Sequence, residues 1–126
     1  MSAPLVAVVD DDPRIRELLA AELEDLGATV LRCRAGEELL GHEPLAEVRL
    51  VLLDWMMPGL DGAATLHALR AQAFPGQVVV VTALCDPDVQ RTAAAAGAST
   101  TLLKTEALEQ LPALLRGIGA GQGPPD

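Results

Sequence analysis

Aromatic residues are nearly absent from this chain: it has no tyrosine, and Trp55 and Phe74 stand alone among 126 residues. Any core must therefore be built from valine, leucine and alanine, within the apolar half of the composition. Basic residues are also scarce. Nine Lys and Arg face 18 Asp and Glu, for a net charge of −9. Binding to nucleic acid needs a basic face to neutralise phosphates, so this composition argues against direct DNA or RNA contact. No apolar run approaches the ~20 residues of a membrane-spanning helix. The opening Met-Ser-Ala-Pro carries no basic segment ahead of its apolar stretch, unlike a signal peptide. A cytoplasmic protein without membrane contact is expected. Cys33 and Cys85 are isolated and lack metal-type spacing, so both read as reduced thiols. Cys85, three residues past Thr82, is expected to be exposed.

What is present is a regular alternation of short apolar runs with helical periods. This is the α/β pattern of a parallel sheet covered by helices on both faces. Strands are expected at Leu5–Val9, Thr29–Arg32, Leu50–Leu53, Val78–Val81 and Thr100–Leu103. The four consecutive valines of the fourth run indicate burial on both sides. Helices are expected at Pro13–Leu26, Gly36–Leu40, Gly62–Ala71 and Pro87–Ala96. Asp12-Pro13 and Asp86-Pro87 are cap-plus-proline starts, and Gly27 and Gly97 are stops. A last helix is ambiguous. Pro112 interrupts the pattern Leu108, Leu111, Leu114, Leu115, so the helix either starts there or is kinked. The length suits one domain, over residues 4–117. Residues 118–126 read as a flexible Gly/Pro-rich tail or a truncated linker.

Five βα units with right-handed crossovers give a doubly wound sheet, and ligands bind such sheets outside the carboxyl ends of the strands. Asp10, Asp11, Asp54, Thr82 and Lys104 all fall there. Asp54 is the most informative of them, because it closes an apolar run, Leu50-Val51-Leu52-Leu53, and precedes a Pro/Gly turn. Like-charged carboxylates ~4 Å apart cost roughly 4 kcal/mol per pair at an effective dielectric near 20. A cation or a proton must relieve them. Oxygen-only donors select Mg²⁺, Mn²⁺ or Ca²⁺ over zinc or copper, and Mg²⁺, which favours one or two carboxylates plus a phosphate, suits this set, with Mn²⁺ as a substitute. A carboxylate so placed can attack a phosphoryl group. Asp54 is then the phosphoacceptor. Asp11 holds the metal directly and Asp10 through water, and the Met56 backbone carbonyl completes the shell. Lys104 pairs with one phosphoryl oxygen and Thr82 donates to another.

These residues resemble the receiver domain of bacterial two-component response regulators, the CheY-like family. The matching blocks are Val8-Val9-Asp10-Asp11-Asp12-Pro13, Leu53-Asp54-Trp55-Met56-Met57-Pro58-Gly59-Leu60-Asp61-Gly62, Val81-Thr82-Ala83, and Gly97-Ala98 with Leu102-Leu103-Lys104, in the family's order and spacing. The resemblance implies a flavodoxin-like (βα)5 fold with strand order 2-1-3-4-5. It implies autocatalytic phosphorylation of Asp54, with Mg²⁺, from the phosphohistidine of a histidine kinase or histidine phosphotransfer protein. Small acyl phosphates substitute in the family. Readout is implied through the face of the fourth helix, fifth strand and fifth helix, toward a downstream protein target or output domain. For the assembly, a monomer and a phosphorylation-dependent dimer are both compatible with the sequence.

Two positions depart from the family. Thr101 stands where an aromatic usually precedes the lysine by three. Thr105 follows the lysine in place of proline, and a cis bond before a non-proline costs ~3 kcal/mol. A trans bond, a shifted loop after Lys104 and an atypical readout are expected. Two rivals follow: a phosphorylation-independent docking module, and a metal-dependent phosphohydrolase. The latter is disfavoured by Met56, which stands where a second acid/base would be needed. A flavin site is disfavoured by carboxylates in the first βα loop. Asp12 and Asp61 read as cap and turn residues, and His42 and His67 as surface residues. Trp55 is expected partly exposed, and Ala93–Ala96 form a packed helix face.

Overall fold

The computed structural model describes residues 3–57, 59, 61–84 and 86–122, the last four by backbone only. In chain order the elements are β1 (Leu5–Val9), α1 (Pro13–Asp25), β2 (Thr29–Cys33), α2 (Gly36–Leu40), a 3₁₀ turn (Leu45–Glu47), β3 (Val48–Asp54), α3 (Gly62–Ala71), β4 (Gln77–Thr82), α4 (Pro87–Ala96), β5 (Thr100–Leu103) and α5 (Lys104–Gln122). The strands form one sheet in the order β2-β1-β3-β4-β5. Every pairing is parallel. This is the CheY-like flavodoxin fold.

Strand side chains alternate between the two faces. Val9, Val51, Leu53, Val78 and Val80 point to one face, where Leu39 of α2, Leu66 and Leu69 of α3 and Ala93 of α4 cover them. Val6, Val8, Leu50, Leu52, Val79 and Val81 point to the other. There Leu19 and Leu23 of α1 and Ala107, Leu111 and Ile118 of α5 close over them. Each fully buried leucine or valine contributes about 1.5–3 kcal/mol, so two layers built mainly of aliphatic side chains suffice with Trp55 and Phe74 as the only aromatic members.

The helix starts at Asp12 and Asp86 follow the expected cap chemistry, and Asp61, read from the sequence as a turn residue, caps α3 in the same way. Asp12, Asp61 and Asp86 accept from the backbone N–H of Arg14, Ala64 and Val89. Gly97 ends α4 in the left-handed region at φ 111°. Arg70 of α3 fastens the end of the sheet remote from Asp54, donating to the carbonyls of Phe74 at 2.9 Å and Gly97 at 2.8 Å.

Several sequence expectations are corrected. The helix α5 neither starts nor stops at Pro112. It runs unbroken from Lys104 to Gln122. Residues 118–122 are thus helical rather than tail, because Ile118 is only 1% exposed and anchors the last turns in the core. No loop separates Lys104 from α5. Among the described residues the one cis peptide bond is Glu43–Pro44, so the bond before Thr105 is trans. Trp55 is buried, not partly exposed, since its ring packs over Gly62. Of Ala93–Ala96, only Ala93 is fully buried. His42 is half-buried and His67 exposed. Pro58, Leu60, Cys85 and residues 123–126 lie outside the described residues, and so do the expected exposure of Cys85 and the end of the tail.

Candidate functional site

The carboxyl ends of β1 and β3 lie side by side, with Val9 paired to Leu53. Asp10, the residue after β1, and Asp54, the last of β3, therefore emerge together at one edge. Both are buried, while Asp11 is exposed. One carboxylate oxygen from each of Asp10, Asp11 and Asp54 lies within 4.8 Å of the others. Lys104, the first residue of α5, reaches this group from β5. Its Nζ is 3.2 Å from Asp10 Oδ2 and 3.5 Å from Asp54 Oδ1. The three acids and the lysine expected from sequence thus share one pocket.

Asp54 is 2% exposed. Its Oδ1 accepts from the Met56 N–H at 3.3 Å, but its Oδ2 is buried with no partner. Burial pushes the Asp54 carboxyl up, and the Asp10 charge adds to this, to about 6, against the opposing pull of Lys104. Burial also works against the Lys104 ammonium, but the Asp10 and Asp54 charges outweigh it and raise its pKa. A buried carboxylate oxygen without a donor is costly unless a proton or cation meets it. Three carboxylates offering only oxygen make a possible metal site, and that donor set suits a hard cation such as Mg²⁺.

Around this centre the remaining residues divide. Thr82 is buried at the end of β4, one strand from Asp54. Its hydroxyl accepts from Leu84 N–H at 3.2 Å and donates to the Leu84 carbonyl at 3.3 Å, so it is held in its own turn. Met56 is 72% exposed at the mouth of a shallow hollow shared with Trp55, Met57 and Asp61. Asp12 stays outside the acidic cluster as the cap of α1. Cys33, at the end of β2, is buried, and burial pushes its thiol up to about 12.

Two residues escaped the sequence reading. Arg16 on α1, with a side chain 13% exposed, donates to the Asp10 carbonyl at 3.0 Å and so steadies the loop carrying Asp10 and Asp11. Its position one turn into a helix that follows the acidic pair was the available signal. Glu106 accepts from the Leu103 N–H at 2.9 Å. A glutamate three residues after the last strand residue is the spacing of a capping box.

Residues 6–116 match the response regulator receiver domain family. The transcriptional activator protein PfeR of Pseudomonas aeruginosa is 38% identical over 112 residues, which cover 88% of this chain and 36% of PfeR. The probable transcriptional regulator ycf27 of Porphyridium aerugineum is 31% identical over 118 residues, covering 94% of this chain and 49% of the relative. The chain thus spans between a third and a half of these relatives. Among solved structures, the BeF3-activated receiver domain of DrrB superposes with a TM-score of 0.84 at 26% identity, covering 94% of this chain and 98% of that one. The chemotaxis protein CheY4 of Vibrio cholerae gives 0.84 at 27%, covering 94% and 99%. With its parallel sheet, its acidic pocket and its lysine at the expected edge, the chain belongs to the response regulator receiver domain family, a signalling module of two-component systems rather than an enzyme acting on outside substrates.

Proposed function

We propose that this domain is the phosphoacceptor of a two-component phosphorelay, taking a phosphoryl group onto Asp54 from the phosphohistidine of a histidine kinase or histidine phosphotransfer protein. The observation that carries the reading is the buried, unpartnered Oδ2 of Asp54 beside Asp10, Asp11 and Lys104. The P–N bond of the donor breaks, the imidazole leaves with the electron pair, and a new P–O bond forms to the Asp54 carboxylate. Asp54, Asp11 and the Met56 carbonyl would hold Mg²⁺ directly, and Asp10 through water. When bound, the ion neutralises the carboxylates and the charge on the phosphoryl oxygens. Lys104 leaves its ion pairs to meet one phosphoryl oxygen. Thr82 meets another only by giving up its bond to Leu84.

Readout is assigned to the face of α4, β5 and α5, where Thr101 supplies no aromatic ring to signal a move of Thr82. That the similar DrrB receiver domain is BeF3-activated supports a phosphorylation-responsive reading of this chain. The relatives named as transcriptional regulators support an output domain or protein target as the partner. A second reading, a docking module indifferent to phosphorylation, draws on the closed Thr82–Leu84 turn.

The test follows Trp55 fluorescence through addition of Mg²⁺ and then acetyl phosphate, with Asp54→Asn as control, and weighs the protein afterwards. A Mg²⁺ response followed by a second change and one phosphoryl mass gain, both lost in Asp54→Asn, is expected. A Mg²⁺ response with no mass gain in the native chain favours the docking module.

A further inference from the structure

Lys104 reaches the acidic pocket from the first position of a helix. It lies at the junction of β5 and α5 with no intervening residue, since β5 ends at Leu103 and α5 begins at Lys104. Its ammonium nevertheless contacts carboxylates rooted on β3 and just past β1, on the far side of β4. β5 is two strand spacings from β3, about 10 Å. A lysine bridges that gap only if its Cα is held close to the pocket.

Two contacts hold it. On the strand side, Leu103 pairs with Thr82 in the β4–β5 ladder. On the helix side, the Glu106 carboxylate turns back and accepts the Leu103 N–H at 2.9 Å. This is the return half of a capping box, with Leu103 as N-cap and Glu106 at the third helical position. It satisfies a donor that the helix start would otherwise orphan. Ala107, the next residue, is 1% exposed and presses the first turn onto the sheet.

We infer that Glu106 is a positioning residue for Lys104: its clamp on Leu103 starts α5 at the lysine itself and so aims the ammonium between Asp10 and Asp54. The value of that aim for phosphoryl transfer rests on the phosphoacceptor reading. The aim itself does not, because it is a property of the resting pocket.

Lys104 is the only lysine in the chain, so amine acylation reports on it directly once peptide mapping separates the amino terminus. The full chain is treated with an N-hydroxysuccinimide acetate at neutral pH, as native protein and as Glu106→Ala and Glu106→Gln. Cys33 alkylation is followed in parallel to monitor unfolding. Glu106→Ala is expected to speed Lys104 acylation about tenfold, the scale of one lost cap. Glu106→Gln, which keeps an acceptor oxygen, is expected to stay within about twofold of native by the same reasoning. Cys33 stays protected in all three. Native-like acylation in Glu106→Ala, equal acceleration in both variants, or parallel exposure of Cys33 would each overturn the inference. A second arm measures Asp54 phosphorylation by acetyl phosphate. There Glu106→Ala is expected to lower the rate, and Glu106→Gln to keep it near native. If the native chain takes no phosphoryl group, the phosphoacceptor reading fails, and the acylation arm still decides the role of Glu106.

Discussion

Asp54 is held in a state that its pocket does not favour. Burial and the neighbouring Asp10 raise its pKa from 3.8 to about 6. The native state therefore binds this proton more tightly than the unfolded chain. Between about pH 4 and 6 the native form holds more of this proton, so the contribution of Asp54 to metal-free stability falls as pH rises through that window and is least favourable above it. Asp54→Asn removes the charge. At pH 7 without metal it is expected to stabilise the fold by about 1–3 kcal/mol in urea titrations. The gain should shrink as pH drops below about 6. A variant less stable than native at pH 7 would contradict the pKa and its cause. The same proton competes with a cation, so Mg²⁺ affinity read from Trp55 should strengthen as pH rises from 5 to 7. Met56 acts at the rim of the same pocket. Its exposed thioether side chain can neither orient nor deprotonate a water. Once phosphorylated, the native chain should hold the group longer than Met56→Asn or Met56→Glu. Phosphate release at equal rates in all three would remove Met56 from the account.

At the scale of elements, the sheet and most helices were legible because their signals are local. Runs of valine and leucine mark strands buried on both faces, and Asp12 and Asp86 mark helix starts by the hydrogen bonds they go on to make. The pocket was legible for the same reason: Asp10, Asp54 and Lys104 sit at strand ends, and a parallel sheet collects those ends at one edge. What was not legible depends on distant packing. The Gly- and Pro-rich stretch around Pro112 and Gly117 has poor helix propensity, yet burial of Leu111 and Ile118 keeps α5 intact through it. Trp55 reads as a residue beside a turn, and only the closeness of α3 buries it. Gly62 makes that closeness possible. A Cβ there would lie 2.6 Å from the Asp54 carbonyl oxygen and 2.7 Å from Trp55 Cα, both of them backbone. Gly62→Ala must therefore push α3 away from the end of β3. It is expected to cost about 1–3 kcal/mol in urea unfolding. Mg²⁺ binding should weaken with it, since the displaced backbone carries Asp54. Native stability in Gly62→Ala would show that the β3–α3 junction yields more readily than its geometry indicates.

The molecule as a whole is a sheet sandwiched between unequal covers. One face is closed by α2, α3 and α4, the other by α1 and α5 alone. The second cover depends on the length of α5, because Ala107, Leu111 and Ile118 are spread along it and all lie against the sheet or α1. Lys104 begins this same helix. The pocket and the thinner cover therefore share one helix, but its first turn carries the pocket, and damage at the far end of α5 should be felt as lost stability before it is felt as lost chemistry. Truncation after Gly117 removes Ile118, which is 1% exposed. Deleting a buried isoleucine costs about 2–5 kcal/mol through lost burial and the cavity left behind. The shortened chain should unfold at clearly lower urea concentration. Under native conditions its Lys104 should stay as resistant to acylation as in the full chain, because the Glu106 clamp and Leu111 remain. Truncation without loss of stability would place Ile118 outside the working core. Truncation that also frees Lys104 would mean that the whole of α5, rather than its first turn, holds the lysine in place.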